Sequence, residues 1–234
     1  NKIFKYDFLI VGGGLIGALT ALSLHKKKLK VLVIDNKINT LADQRTLAVN
    51  ANSKDFLLKL GIWNDIKTKP QLIKQIIIKD YLNTTPLIFK NEEETMGNVI
   101  LNKELLTTTQ KKLRDLNILK TNINVDLDTL KPNHIISIKQ TSYTFKKIII
   151  SIGKKIISEP SQKSFTLNEG HYSYVGFFNH KKDHNETAYE IFNKEGPLAV
   201  LPSPSSNNKK STFIYSTNKD ISYKKIQTMI NKKF

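Results

Sequence analysis

Three glycines at fixed spacing, Gly12, Gly14 and Gly17, followed by an acid at Asp35, are the residues whose types and positions define a chemistry in this chain. Gly12 lets the backbone turn sharply out of a strand. Gly14 carries no side chain, so a pyrophosphate can come close to the main chain, and Gly17 lets a helix pack tightly against a sheet. The start of that helix presents amide N–H groups and a positive dipole end to an anion. Asp35 stands eighteen residues past Gly17, placed to accept hydrogen bonds from a ribose. An acid here selects a free 2′-hydroxyl, hence FAD or NAD and not NADP. The plain alternative is a glycine-rich turn in an ordinary α/β protein, and the flanking elements argue against it.

Those elements are the ones the motif needs. Tyr6 to Val11 is a short apolar run that ends at the glycines, as a buried strand would. Leu15, Ala18, Leu19 and Leu22 then recur at helical spacing, and Val31 to Ile34 reads as a second buried strand with Asp35 at its tip. Basic residues before the apolar stretch Phe8 to Leu24 imitate a signal peptide or a membrane span. Three consecutive glycines inside that stretch favour the nucleotide fold.

Composition sets the wider limits. The chain has 234 residues, room for one large domain or two small ones, and no cysteine, so it uses neither disulfides nor thiol chemistry. A reducing cytoplasm fits this usage. The formal net charge is +17, which invites a nucleic-acid reading. Only Arg45 and Arg114 are arginine, however, and the lysines are spread along the whole chain. Arginine is the residue that reads bases and phosphates bidentately, so no nucleic-acid partner is expected. Attraction to an anionic membrane surface is the stronger reading of the charge.

Arg45 lies just past the second strand. Two readings stay open for it: a phosphate clamp on the bound dinucleotide, or a surface ion pair with Asp43. Ser53 is expected to cap a helix with Phe56, Leu57 and Leu60 on its apolar face, ending at Gly61. Leu72 to Asp80 and Leu87 to Lys90 read as two strands. Asn102 is expected to cap a helix running to about Leu116. Strands follow at Ile118–Leu119, Ile123–Leu127, Ile135–Lys139, Tyr143–Phe145 and Lys147–Ile152. Pro160, Ser161 and Ser164 mark a loop or linker. Beyond it, His171–Phe178, Ala188–Phe192, Leu198–Leu201 and Thr212–Ser216 alternate as an antiparallel sheet, and a helix covers Ile221 to about Ile230. His180 and His184 have i,i+4 spacing, but Lys181, Lys182 and Asp183 between them read as a solvated turn and not as a metal site.

The chain resembles the FAD-dependent aromatic-ring hydroxylases of ubiquinone biosynthesis, within the wider group similar to p-hydroxybenzoate hydroxylase. The resemblance rests on motifs in order along the chain: Asp7 through Gly17; Asp43-x-Arg45-x-x-Ala48 with Ser53; Leu60-Gly61-Ile62-Trp63; Met96-Gly97 with Asn102-x-x-Leu105; and His184-Asn185 through Ala188-x-Glu190-x-Phe192 to Gly196-Pro197-Leu198-Ala199-Val200-Leu201-Pro202. It implies an α/β fold with a Rossmann-like FAD-binding domain and an inserted, mostly antiparallel β-sheet substrate domain. The expected boundaries are 1–71 and 97–157 for the first and 72–96 and 158–234 for the second. It also implies FAD as cofactor, NAD(P)H as electron donor, O2, and a phenolic polyprenyl substrate. Peripheral contact with the inner membrane or with proteins of the same pathway would go with it.

The cofactor-binding set implied is Gly12, Gly13, Gly14, Leu15, Ile16, Gly17, Asp35, Arg45 and Val125. No catalytic side chain is named, because the cofactor performs the difficult step. Two departures from the family pattern accompany the match. The family's Gly-Ala-Asp-Gly motif is replaced by Ser151-Ile152-Gly153-Lys154-Lys155, and the family continues beyond the position of Phe234. The expectation is a FAD-dependent monooxygenase with an incomplete FAD-binding domain. Its alternative is a non-catalytic or split-gene fragment that only binds nucleotide or needs a second chain.

Overall fold

The structure, a computed structural model, describes residues 2–36, 45–82, 84–91, 95–153, 170–205 and 207–234. The elements in chain order are β1 (Ile3–Val11), α1 (Leu15–Lys26), β2 (Val31–Ile34), β3 (Thr46–Val49), α2 (Ala51–Lys59), β4 (Gln71–Ile73), β5 (Gln75–Asp80) and β6 (Leu87–Lys90). They continue with β7 (Gly97–Leu101), α3 (Asn102–Asp115), β8 (Leu119–Lys120), β9 (Ile135–Ile138) and β10 (Thr141–Ile150). The last are β11 (Tyr172–Asn179), β12 (Thr187–Asn193), β13 (Gly196–Pro202), β14 (Lys210–Thr217) and α4 (Tyr223–Lys233). The chain divides into two compact units, residues 1–43, 57–66 and 103–165 in the first and 44–56, 67–102 and 166–234 in the second.

The first unit is built on a five-stranded sheet of order β8-β2-β1-β10-β9. β8, β2, β1 and β10 run parallel, and β9 returns antiparallel on β10. All four residues of β2 are buried, as a parallel strand covered on both faces requires. α1 covers one face through small residues, with Gly17, Ala18 and Ala21 buried alongside Leu22. The other face carries Leu9, Val11, Leu32, Ile34, Tyr143 and Phe145 in one cluster. The register aligns Val11 with both Ile34 and Ile150, so three parallel strands finish in one row. Ligands of open α/β sheets bind beyond that edge.

The second unit holds two sheets. One has six strands in the order β11-β14-β13-β12-β5-β6, and the other has three, β3-β7-β4. Every neighbouring pair is antiparallel except β12 with β5. α4, capped by the Ser222 side chain, lays Ile226 and Ile230 against Ile191, Leu198, Val200, Phe213 and Tyr215 on one face of the larger sheet. This is the expected α/β architecture with a mostly antiparallel second sheet. No helix among the described residues is long and apolar enough to cross a membrane.

Four expectations are corrected. The cap of α2 is Asn50, whose Oδ1 accepts from Ser53 N at 2.9 Å, so Ser53 supplies the capped amide and not the cap. Ile123–Leu127 is not a strand: Ile123 N donates to Asp35 O at 3.0 Å, and Val125 and Leu127 pack on the sheet's core without pairing as a ladder. The run Leu72–Asp80 is divided by Lys74, because β4 pairs with β7 while β5 pairs with β6 and β12. Tyr143–Phe145 and Lys147–Ile152 form one strand, β10. The expected loop at Pro160, Ser161 and Ser164 lies outside the described residues.

Candidate functional site

The loop between β1 and α1 is closed at both ends and open in the middle. Gly12 has φ +110°, and a Cβ there would lie 2.2 Å from Ser151 O. At Gly17 a Cβ would lie 2.0 Å from Gly12 O, so only glycine lets α1 sit this close to the sheet. At Gly14 a Cβ would meet nothing within 4 Å. The space beside Gly14 is therefore available to a group that must touch the backbone. Gly14 is the N-cap of α1 in extended conformation, contributes no side-chain cap, and no acidic residue occupies the first turn. Leu15, Ile16 and Gly17 thus begin a helix whose first turn carries neither a side-chain cap nor an acidic residue of its own. An anion is the partner such an end favours.

Backbone bonds hold this geometry. Gly12 N donates to Ile34 O at 2.8 Å and Ser151 N to Val11 O at 2.7 Å. Asp35, at the tip of β2, accepts from Gly13 N through Oδ2 at 2.5 Å. Its carboxylate therefore fastens the loop, a role in addition to the expected one toward a ribose. Val125 is brought to the same edge by the Ile123 N–Asp35 O bond, with its side chain partly buried against the core. Gly12 through Gly17, Asp35 and Val125 are thus collected at one end of the first unit's sheet. Arg45 belongs to the second unit, where its carbonyl accepts from Asn102 N at 2.9 Å. Asp43, its expected alternative partner, lies outside the described residues.

Sequence reasoning missed Gln110. This α3 residue is 2% exposed, and its Nε2 donates to Gly13 O at 2.7 Å across 97 residues of sequence. The available signal was its place three residues before Leu113 on the buried stripe that also holds Leu105 and Thr109. A polar side chain at a buried helical position needs a partner, and here the partner is the loop.

The second unit presents another constellation. On β12, Ala188 and Glu190 point away from α4, while Ile191 faces it. Glu190 opens into a cleft of about 200 Å³ whose walls include Ile73, Ile76, Met96, Ala199 and Leu201. Burial pushes its carboxyl above the ordinary carboxylate range.

His184 is corrected from a solvated turn residue to a buried one, 4% exposed. Its Nδ1 accepts from Glu186 N at 3.0 Å, which places the proton of the neutral ring on Nε2. Among the described residues that Nε2 has no partner. His180 Nε2 lies 2.6 Å from Ser211 Oγ. Burial lowers the pKa of both rings, and for His180 the neighbouring His184 adds to it. Among the described residues no group of three or more His, Cys, Asp or Glu side chains is placed to hold a metal ion.

A family profile described as an FAD binding domain matches residues 5–145. The mitochondrial ubiquinone biosynthesis monooxygenase COQ6 of Caenorhabditis elegans is 26% identical over 229 residues, covering 86% of this chain and 51% of the relative. Ubiquinone hydroxylase UbiL of Rhodospirillum rubrum is 26% identical over 231 residues, covering 92% of this chain and 52% of the relative. The chain thus spans about half the length of the curated relatives it matches. Among solved structures, p-nitrophenol 4-monooxygenase PnpA from Pseudomonas putida DLL-E4 superposes with a TM-score of 0.66 at 15% identity. That match covers 97% of this chain and 62% of that one, and it shows the fold.

Proposed function

The chain belongs to the FAD binding domain family, and from that premise we propose that it forms the nucleotide-binding and substrate-sheet portion of a FAD-dependent aromatic-ring monooxygenase. The proposed reaction is hydroxylation of a polyprenyl phenol in ubiquinone biosynthesis, with NAD(P)H as electron donor and O2 as oxidant. The observation that carries this reading is the contrast within the glycine loop, where Gly12 and Gly17 admit no Cβ while Gly14 faces open space. That shape suits a pyrophosphate against bare backbone at a helix N-terminus.

Bound FAD supplies the redox chemistry that places one oxygen atom on the ring. The chain's own residues bind and orient it. The first-turn amides of Leu15, Ile16 and Gly17 take the pyrophosphate, Asp35 takes the adenosine ribose, and Val125 borders that end. Arg45 is the proposed phosphate clamp. Relatives named for ubiquinone biosynthesis support the substrate class. A polyprenyl tail resides in lipid, and the formal charge of +17 favours an anionic membrane surface, so the proposed location is cytoplasmic and peripheral at the inner membrane.

The test is the visible absorption spectrum of the purified chain after addition of FAD and desalting, followed by NAD(P)H oxidation with a phenol. Retained flavin bands and phenol-dependent oxidation are expected. A colourless protein would overturn the reading of the loop, and bound flavin without phenol-dependent oxidation would overturn the monooxygenase assignment.

A further inference from the structure

The six-stranded sheet buries its α4-covered face with apolar side chains, and on the opposite face of β12 it carries a half-buried carboxylate, Glu190, between Ala188 and Phe192. Among the described residues Glu190 has no ion-pair or hydrogen-bond partner, and burial alone raises its pKa. A half-buried carboxyl without a partner destabilises the fold, and its place is explained by a ligand that supplies the missing donor.

The cleft decides which donor. Its walls around Glu190 are mostly apolar, from Ile73, Ile76, Met96, Ala199 and Leu201, with Asn50 and Tyr189 also on its border. Its volume of about 200 Å³ suits a single substituted aromatic ring, since an apolar cavity of roughly 150 Å³ accommodates benzene. An anionic ligand would be repelled by the carboxylate. A cationic one is disfavoured on approach by a chain of formal charge +17. A neutral ring bearing a hydroxyl satisfies all three conditions.

Resting on the monooxygenase reading, we propose that Glu190 is the residue that selects and orients a phenol on this sheet, accepting the hydroxyl proton in a hydrogen bond while the ring fills the cleft between Ile76, Met96 and Leu201. The bond fixes which ring edge faces outward, because the acceptor holds one end of a flat molecule and the aliphatic walls hold its faces. A methyl ether of the same ring has no proton to donate and leaves the carboxyl unpaired, so the site discriminates against it.

The experiment measures binding of 4-fluorophenol and 4-fluoroanisole to the intact chain by fluorine NMR, independently of flavin. Wild type is expected to bind the phenol about tenfold more tightly than the ether, a difference of about 1.4 kcal/mol. Glu190→Leu is expected to erase that preference while binding the ether at least as well. Ala199→Phe, which fills the cleft and leaves Glu190 in place, is expected to weaken both ligands together and serves if the first variant does not fold. Equal affinity of wild type for phenol and ether, or a phenol preference that survives Glu190→Leu, would overturn the proposal. Failure of the monooxygenase reading appears separately, as loss of flavin retention or of phenol-dependent NAD(P)H oxidation with the fluorine titration unchanged.

Discussion

The two units reach their chemistry by opposite means. In the first, the site is made by what the side chains leave out. Gly12 and Gly17 are closed against Ser151 O and Gly12 O, Gly14 is bare, and the candidate binding groups are main-chain amides. In the second, the backbone is ordinary sheet, and the proposed specificity rests on one side chain, Glu190, standing in a mostly apolar cleft. A site made of backbone can hold only what matches its fixed geometry, and almost any substitution damages it. A site made of one side chain on a regular strand can be retuned by exchanging that residue.

The sharpest way to break this contrast is at Gly12. Gly12→Ala places a Cβ against Ser151 O at a φ of +110°. It is expected to cost at least about 2 kcal/mol of stability and to abolish flavin retention, read by thermal melting and absorption. Gly14→Ala separates fold from binding. Its Cβ meets nothing, so the melting temperature should hold while FAD affinity drops by on the order of tenfold or more. Equal melting losses for the two variants would remove the distinction between closed and open glycines.

Gln110→Leu comes next. It strands the Gly13 carbonyl without its buried donor and is expected to cost about 1–3 kcal/mol together with weaker flavin binding. An unchanged affinity would mean that α3 does not hold the loop.

In the second unit the sensitive groups are titratable. Burial lowers the pKa of His180 and His184 below the unfolded value. Their contribution to stability is present in full above the unfolded pKa of about 6.5. It is lost as pH falls from there through the lowered folded-state values, where protonation also opposes the Glu186 N–His184 Nδ1 bond. Melting temperature should therefore fall between roughly pH 7 and pH 5, and His184→Gln should flatten that slope. The smallest effect expected is at the helix cap. Asn50→Ala should cost about 1 kcal/mol by denaturant titration, and Ser53→Ala a few tenths.

The part of the site legible in sequence is the part encoded by backbone geometry. A glycine required at a given φ or close contact has no substitute, and a four-residue strand as apolar as Val31–Ile34 can only be buried. Asp35 was legible because it sits one residue past that strand. Gln110 was not, since its partner is 97 residues away and an amide on a helix looks solvated until the fold is known. His184 misled for the same reason. The charged residues before it suggest a turn in water, whereas His184 N is drawn onto Asn208 O at 2.8 Å and the ring goes inside. Ile123–Leu127 has the alternation of a strand, and its apolar residues do turn inward, Ile123 buried and Val125 and Leu127 partly so. What sequence could not supply was a free strand edge for it to pair with.

The single parallel pair in the six-stranded sheet sets a timetable for synthesis. β5 and β6 form an antiparallel hairpin as soon as both have left the ribosome, but β5 must wait for β12, about a hundred residues later, to gain its second neighbour. At translation rates of about 5–20 residues per second, that interval lasts roughly 5–20 s. Throughout it the edge of β5 from Gln75 to Asp80 that β12 later pairs stands open, beside Leu87, Ile88 and Phe89, which stay 61%, 58% and 48% exposed even in the finished fold. An unpaired edge of this kind makes a nascent chain prone to aggregation. Slowing the ribosome between β6 and β12 would lengthen that exposure, and the yield of folded protein should fall with it.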